Sequence, residues 1–276
     1  MIVFARTRWP YDSYADFWRL VELSEFPTCY VDEINLNADA VFITTPVNGE
    51  VEVLRQKLEH HGGPKPSRVV WWNLERPDAA NMPPVTTIVS DALTVFDTVW
   101  VSDRYYRSLD ERQQYVTLAS HPGMALVPTP LTKQHDFAHM SYVFGRREQI
   151  LGTLKRAGLR AAPAVGPGPG RDQLLRESRV MLNTHQTPAP IGEPIRIALT
   201  AAYQLPLLSE HLRDPYPLVP GMDYVDASAE ELEPALRDLV RDEYRCGVLG
   251  QNLHRALCVE RTFRSEVEAA VKVMRS

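Results

Sequence analysis

Apolar-rich strand signals recur in the first half of this chain at residues 2–5, 40–44, 68–73, 85–90, 98–102 and 125–127, and 40–44 is a continuous apolar run. Such runs suit strands of a parallel sheet covered on both faces, where no alternation with polar positions is needed. Between them lie segments with the helical period. Residues 13–23 place Phe17, Leu20 and Val21 on one face behind Ser13 as the expected cap, and residues 48–60 run to a stop at Gly62-Gly63. Strands separated by helices or long turns predict a doubly wound α/β domain. Trp71 and Trp72 are consecutive in a strand, so one enters the core and the other the opposite face.

The pattern breaks over residues 128–140, PTPLTKQHDFAHM, which reads as an interdomain linker. A second series then begins, with a strand at 141–144, a turn at Gly145, a helix over 147–157 closed by Gly158, and a strand over 160–165. The GPGPG run at 166–170 lacks the spacing of a phosphate-binding fingerprint and reads as a loop, followed by a short helix over 172–178. Helices are expected over 229–241 and 245–274. The last 24 residues of the second would reach roughly 36 Å, enough to return to the first domain. The expected domains are 1–136 together with about 255–276, and 137–254.

The most informative segment is 178–210, SRVMLNTHQTPAPIGEPIRIALTAAYQLPLLSE. It predicts a buried strand at 180–183, a polar loop, a helix over 194–203 with Pro194 in its first turn, and a strand over 205–209. Asn183, His185, Glu193 and Arg196 then share one strand-end edge, where open α/β sheets bind ligands. The free N–H groups and dipole of the helix start favour an anion there.

Bulk properties narrow the class. A chain of 276 residues with 44% hydrophobic and 24% charged residues is an ordinary globular protein, neither disordered nor membrane-spanning, and the expected location is the cytoplasm. Cys29, Cys246 and Cys258 are odd in number and widely spaced, so neither a disulfide framework nor a zinc site is expected. Residues 1–136 carry 12 basic against 18 acidic side chains, whereas eight Arg and Lys fall between Arg146 and Arg179. That basic excess suits a phosphorylated ligand better than the acidic first half does, although Lys155 and Arg156 read as a solvated helix face. The first strand is followed by RTRWPYDSY, without glycine, which argues against a dinucleotide-binding dehydrogenase.

The order YVFGRREQILGTLKRAGL, SRVMLNTH, EPIRIALTAAYQLPLLSE and ERTFR over 141–264 resembles the GT-B glycosyltransferases of the spore-maturation type. The resemblance implies an α/β GT-B architecture: two Rossmann-like doubly wound domains facing a cleft, with a C-terminal helix returning to the first. It maps the nucleotide-sugar pocket onto Gly145, Asn183 and Arg196, and His254 onto the closing helix. The family's helix glutamate and glycine fall on Leu199 and Gln204, so the ribose acceptor must be another residue, Glu193 or Glu210.

Glycosyl transfer needs stabilisation of a diphosphate leaving group. With no Asp-x-Asp sequence, metal-independent transfer by fixed cations is expected, with Arg196, Arg146 or Arg147 in that role. Arg196→Ala should then abolish transfer with the fold intact. A UDP-sugar is the expected donor, and Gly145, Arg146, Arg147, Asn183, His185, Glu193, Arg196 and Glu210 its expected pocket. Glu75 and Asp103, with His121 a third candidate, could serve as general base if the anomeric centre inverts. Asn73, Arg76, Arg104 and Tyr105 would bind the acceptor, which stays open: a small molecule, glycan, protein or modified base in DNA. A DNA acceptor is opposed by the acidic first half but supported by a stripe containing Arg104, Arg107 and Arg112. A nucleotide-sugar-binding protein without catalysis is the other reading, favoured by Leu199.

Overall fold

The computed structural model describes residues 1–8, 14–45, 50–74, 91–102, 104, 110–125, 132–140, 143–164, 169–186 and 193–276. The chain divides into two compact units, Met1–Thr117 with Arg264–Ser276, and Leu118–Phe263.

The first unit carries strands β1 (Ile2–Arg6), β2 (Thr28–Tyr30), β3 (Val41–Thr44), β4 (Arg68–Asn73), β5 (Thr98–Val101) and β6 (Gln113–Tyr115) in the order β2-β1-β3-β4-β5-β6. Every pairing is parallel. Val41–Thr44 is buried at all four positions, as a strand covered on both faces requires. Helix α1 (Ala15–Leu23) buries Phe17, Leu20 and Val21 on the predicted face. Its N-cap is Tyr14, and Ser13 lies outside the described residues. Helix α2 is Glu50–His61.

Trp72 is fully buried and meets Phe17 and Trp100 edge-on at 5.6 and 5.3 Å. Its Nε1–H donates to the Ser102 hydroxyl at 3.3 Å. Trp71 is half-buried and packs on Phe96 at 6.0 Å, so the two indoles stabilise opposite faces of β4. Each such ring contributes roughly 1.5–3 kcal/mol through burial. The predicted strand at 85–90 lies outside the described residues.

The second unit has a parallel sheet in the order β10-β9-β8-β7, formed by β7 (His135–Ala138), β8 (Ser178–Asn183), β9 (Leu207–Glu210) and β10 (Val225–Ala227). Its helices are α3 (Arg146–Arg156), α4 (Pro169–Glu177), α5 (Pro194–Ala202), α6 (Leu232–Arg241) and α7 (Glu243–His254). Phe137, Val180, Leu182, Leu208, Leu236 and Leu239 form the centre of one apolar core.

Four expectations are corrected. The stretch read as a linker contains β7, whose Asp136, Phe137 and Ala138 are buried. Asp136 is tolerated there because its carboxylate accepts from the Arg160 backbone N–H at 2.8 Å and from the Arg160 guanidinium at 2.9 Å. The second series therefore starts at β7; of the strand expected over 141–144, residues 141–142 lie outside the described residues, and Val143 and Phe144 are exposed and outside any strand. The strand expected over 160–165 shrinks to a bridge between Phe137 and Ala161. The long C-terminal helix is broken: α7 ends at His254, a π turn spans Arg255–Val259, and α8 (Phe263–Arg275) starts anew.

From Arg264 onward, α8 belongs to the first unit. The Arg264 guanidinium donates to the Ser24 carbonyl and covers the Phe26 ring at 4.8 Å, and Gln114 donates to the Ala270 carbonyl at 3.1 Å. Among the described residues, no helix is long and apolar enough to cross a membrane.

Candidate functional site

Because the second sheet is parallel, the carboxyl ends of its strands fall on one edge. Ala138 pairs with Met181, Asn183 with Ser209, and Ala227 with Glu210, so the residues that follow, His139, Thr184, His185, His211 and Ser228, line the same edge. Two helices start there. Gly145 caps α3 at φ 58° and ψ −124°, a conformation that costs a residue with a β-carbon dearly. Glu193 caps α5, with Pro194 in the first turn. The structure thus gathers Gly145, Arg146, Arg147, Asn183, His185, Glu193, Arg196 and Glu210 at one edge, the edge that the sequence predicts for Asn183, His185, Glu193 and Arg196.

Their side chains form two linked networks. In the inner one the Arg196 guanidinium donates from Nε to the Met140 carbonyl at 3.0 Å, from Nη1 to Asn183 Oδ1 at 2.5 Å, and from Nη2 to Glu193 Oε2 at 2.5 Å. Asn183 passes the chain on, its Nδ2 donating to Ser209 Oγ at 2.8 Å. Arg147 donates from Nε to the Thr184 carbonyl at 3.1 Å and from Nη2 to the other Glu193 oxygen. The Arg147 and Arg196 side chains are only 4% and 2% exposed. His139 sits against this pair, its Nε2 3.0 Å from the Thr184 hydroxyl. Burial, followed by the positive charges of Arg196 and Arg147, drives its pKa well below the usual histidine value, so it is neutral.

In the outer network Arg146 grips Glu210 with both terminal nitrogens, one bond at 2.7 Å, and donates to the His185 carbonyl at 3.1 Å. Glu210 also accepts the His185 backbone N–H at 2.7 Å. Burial opposes the charge on Glu210, but the bonds from Arg146 and His185 outweigh it and leave the pKa below the ordinary glutamate value. Here the arginine is 29% exposed and the glutamate 5%.

This arrangement changes the role expected for Arg196. All three of its guanidinium nitrogens donate to protein groups, and the side chain is sealed from solvent, so it braces the edge instead of facing a ligand. The accessible guanidinium among the three is that of Arg146. Leu199 is 2% exposed and fills the core on α5, while the edge carboxylates are Glu193 and Glu210. At Gln204 the backbone keeps φ 52°, so a glutamine adopts the left-handed turn for which the resembled family uses glycine.

His254 and His121 are structural. His254 Nδ1 donates to the Ala201 carbonyl at 3.0 Å, and His121 Nδ1 accepts the Gly123 N–H at 3.0 Å to cap a 3-10 turn. In the first unit Asn73 ends β4, 8% exposed, and Arg104 lies exposed beyond β5. Glu75, Arg76, Asp103 and Tyr105 lie outside the described residues. Sequence reasoning missed His139, Ser209, His211 and Asp226. The only signal for His211 is its place directly after a strand ending in Glu210.

No protein-family model and no curated protein matches the chain. Solved structures do. The structure of Alr3699/HepE from Anabaena in complex with UDP and glucose matches with a TM-score of 0.72 at 10% identity, covering 99% of this chain and 100% of that one. The DNA-modifying enzyme β-glucosyltransferase matches with a TM-score of 0.57 at 12% identity, covering 99% and 98%. AviGT4, a glycosyltransferase involved in avilamycin A biosynthesis, matches with a TM-score of 0.57 at 11% identity, covering 99% and 96%. The chain has the GT-B fold of these proteins.

Proposed function

We propose that this GT-B chain is a glycosyltransferase that moves a sugar from a nucleoside-diphosphate donor to an acceptor hydroxyl. The observation that carries the reading is Arg146: a partly open guanidinium at the Gly145-capped start of α3, on the strand-end edge it shares with the start of α5. The diphosphate lies against Arg146 and the free N–H groups of α3, which stabilise the charge that grows as the glycosidic bond breaks. Fixed cations serve where a metal would otherwise be needed. Glu193 and Glu210 offer carboxylate acceptors to ribose or sugar hydroxyls. UDP is the expected nucleotide, since the Anabaena neighbour was solved with UDP and with UDP-glucose. In the first domain Asn73, Arg76, Arg104 and Tyr105 bind the acceptor, with Glu75 or Asp103 as base if the anomeric centre inverts.

A modified base in DNA is the acceptor with a specific observation behind it, the likeness to the DNA-modifying β-glucosyltransferase. Retention on duplex DNA that weakens steeply with salt would support it.

The test is thermal unfolding with a panel of nucleoside diphosphates and nucleotide sugars, followed by assay of sugar release or transfer from the best binder. A ligand at about a hundred times its Kd adds about 2.7 kcal/mol of stability. No shift with any member of the panel would sink the reading. Binding without release or transfer would leave a nucleotide-sugar-binding protein.

A further inference from the structure

His211 follows Glu210 at the end of β9. Its Nδ1 lies 2.6 Å from Asp226 Oδ2 on β10, and the Tyr224 hydroxyl donates to the other Asp226 oxygen at 3.5 Å. The His211 carbonyl accepts from His185 Nε2 at 2.9 Å, so backbone and ring are both held. A carboxylate has no proton to give, so Nδ1 carries the hydrogen and Nε2 is the atom that gains and loses a proton. The side chain is 60% exposed, which leaves Nε2 as the nitrogen for solvent or a ligand.

We propose that His211, oriented by Asp226, is a second anion ligand of this edge, whose Nε2–H binds the diphosphate of the nucleotide-sugar donor together with Arg146. This rests on the function proposed above. His211 and Arg146 flank Glu210, one as its chain neighbour and the other as its ion-pair partner.

The surroundings favour the charged ring. The hydrogen bond that the ring donates to Asp226 raises its pKa above the usual histidine value against a smaller loss from burial, and the charges of Asp226, Glu231 at the start of α6 and Glu210 add to it. A cation is thereby presented where a doubly charged diphosphate is to be held, and it is withdrawn as the ring deprotonates. Donor affinity becomes dependent on pH in a range where neither Arg146 nor the phosphates of a nucleotide sugar change charge.

The test measures UDP-glucose affinity of the full chain by calorimetry between about pH 5.5 and 8.5, the range in which an imidazole titrates. The unmodified protein should bind about tenfold more weakly at the upper end, as loss of a charge-assisted bond implies. His211→Gln should bind at the weaker level throughout and show no slope. Uridine, which lacks phosphate, should bind all forms alike. The His211 ring signal in NMR should titrate at higher pH once UDP-glucose is bound, which a purely structural histidine would not show. A flat profile, or the same slope in His211→Gln, would overturn the inference and leave the glycosyltransferase reading standing. Absence of UDP-glucose binding at every pH would overturn both.

Discussion

Arg196 Nη1 donates to Asn183 Oδ1 at 2.5 Å, tying the first turn of α5 to the last residue of β8 with both side chains buried. Replacing Arg196 leaves the Glu193 carboxylate with half its cation partners, the Met140 carbonyl without this donor, and a void at the strand end. Arg196→Ala should therefore lower unfolding stability by about 3–5 kcal/mol, the usual cost of breaking a buried ion pair from one side. Urea unfolding followed by circular dichroism measures this. A variant that keeps native stability and loses only activity would contradict the bracing role and restore Arg196 as a ligand.

Arg146 makes the opposite prediction. Being the accessible guanidinium of the edge, it should matter more to ligand than to fold. Arg146→Ala is expected to weaken UDP binding about 10- to 100-fold, the range for one or two charge-assisted bonds. Arg146→Lys should recover only part of that, because an ammonium cannot reproduce a two-nitrogen grip. Equal UDP affinity in all three proteins, measured by calorimetry, would remove Arg146 from the donor site.

Two glycines of α7 should respond with opposite signs. A β-carbon on Gly250 would lie 2.7 Å from the Gln204 carbonyl carbon, and that neighbour is backbone, which cannot swing aside. Gly250→Ala should cost more than about 2 kcal/mol. Nothing lies within 4 Å of a β-carbon on Gly247, so Gly247→Ala should gain roughly 0.5–1 kcal/mol through helix propensity. Thermal unfolding of the pair decides it.

His139 links stability to pH. Its folded pKa is depressed, so its contribution is complete above the unfolded value of about 6.5 and is lost as pH falls below that toward the folded pKa. Glu210 is depressed too, and its contribution disappears only below about pH 4.3, in the carboxylate range. Stability should decline in two stages on acidification. His139→Gln should abolish the upper stage and leave the lower one. A single decline confined to the carboxylate range in the unmodified protein would disprove the assignment.

The edge residues were legible because each follows a recognisable apolar strand or opens a helix marked by glycine or proline. Their side-chain directions were not. Arg196 turns inward toward the Met140 carbonyl, 56 positions away in the chain, and no local pattern encodes such a partner. β7 hid for a related reason. Four residues, one of them Asp136, give no hydrophobic run, and Asp136 can be buried only because Arg160 arrives from elsewhere. The break in the C-terminal helix had no signal, since a π turn over Arg255–Val259 uses ordinary helix formers.

The first unit is assembled from two pieces separated by 146 residues, Leu118–Phe263, that build the second. During synthesis the second unit has its whole sequence available before α8 emerges, while the Ser24 carbonyl, the Phe26 ring and Gln114 still await Arg264 and Ala270. The domain that starts first is thus the one that can finish only last, and a nascent chain should show a protease-resistant second unit before its first unit is closed.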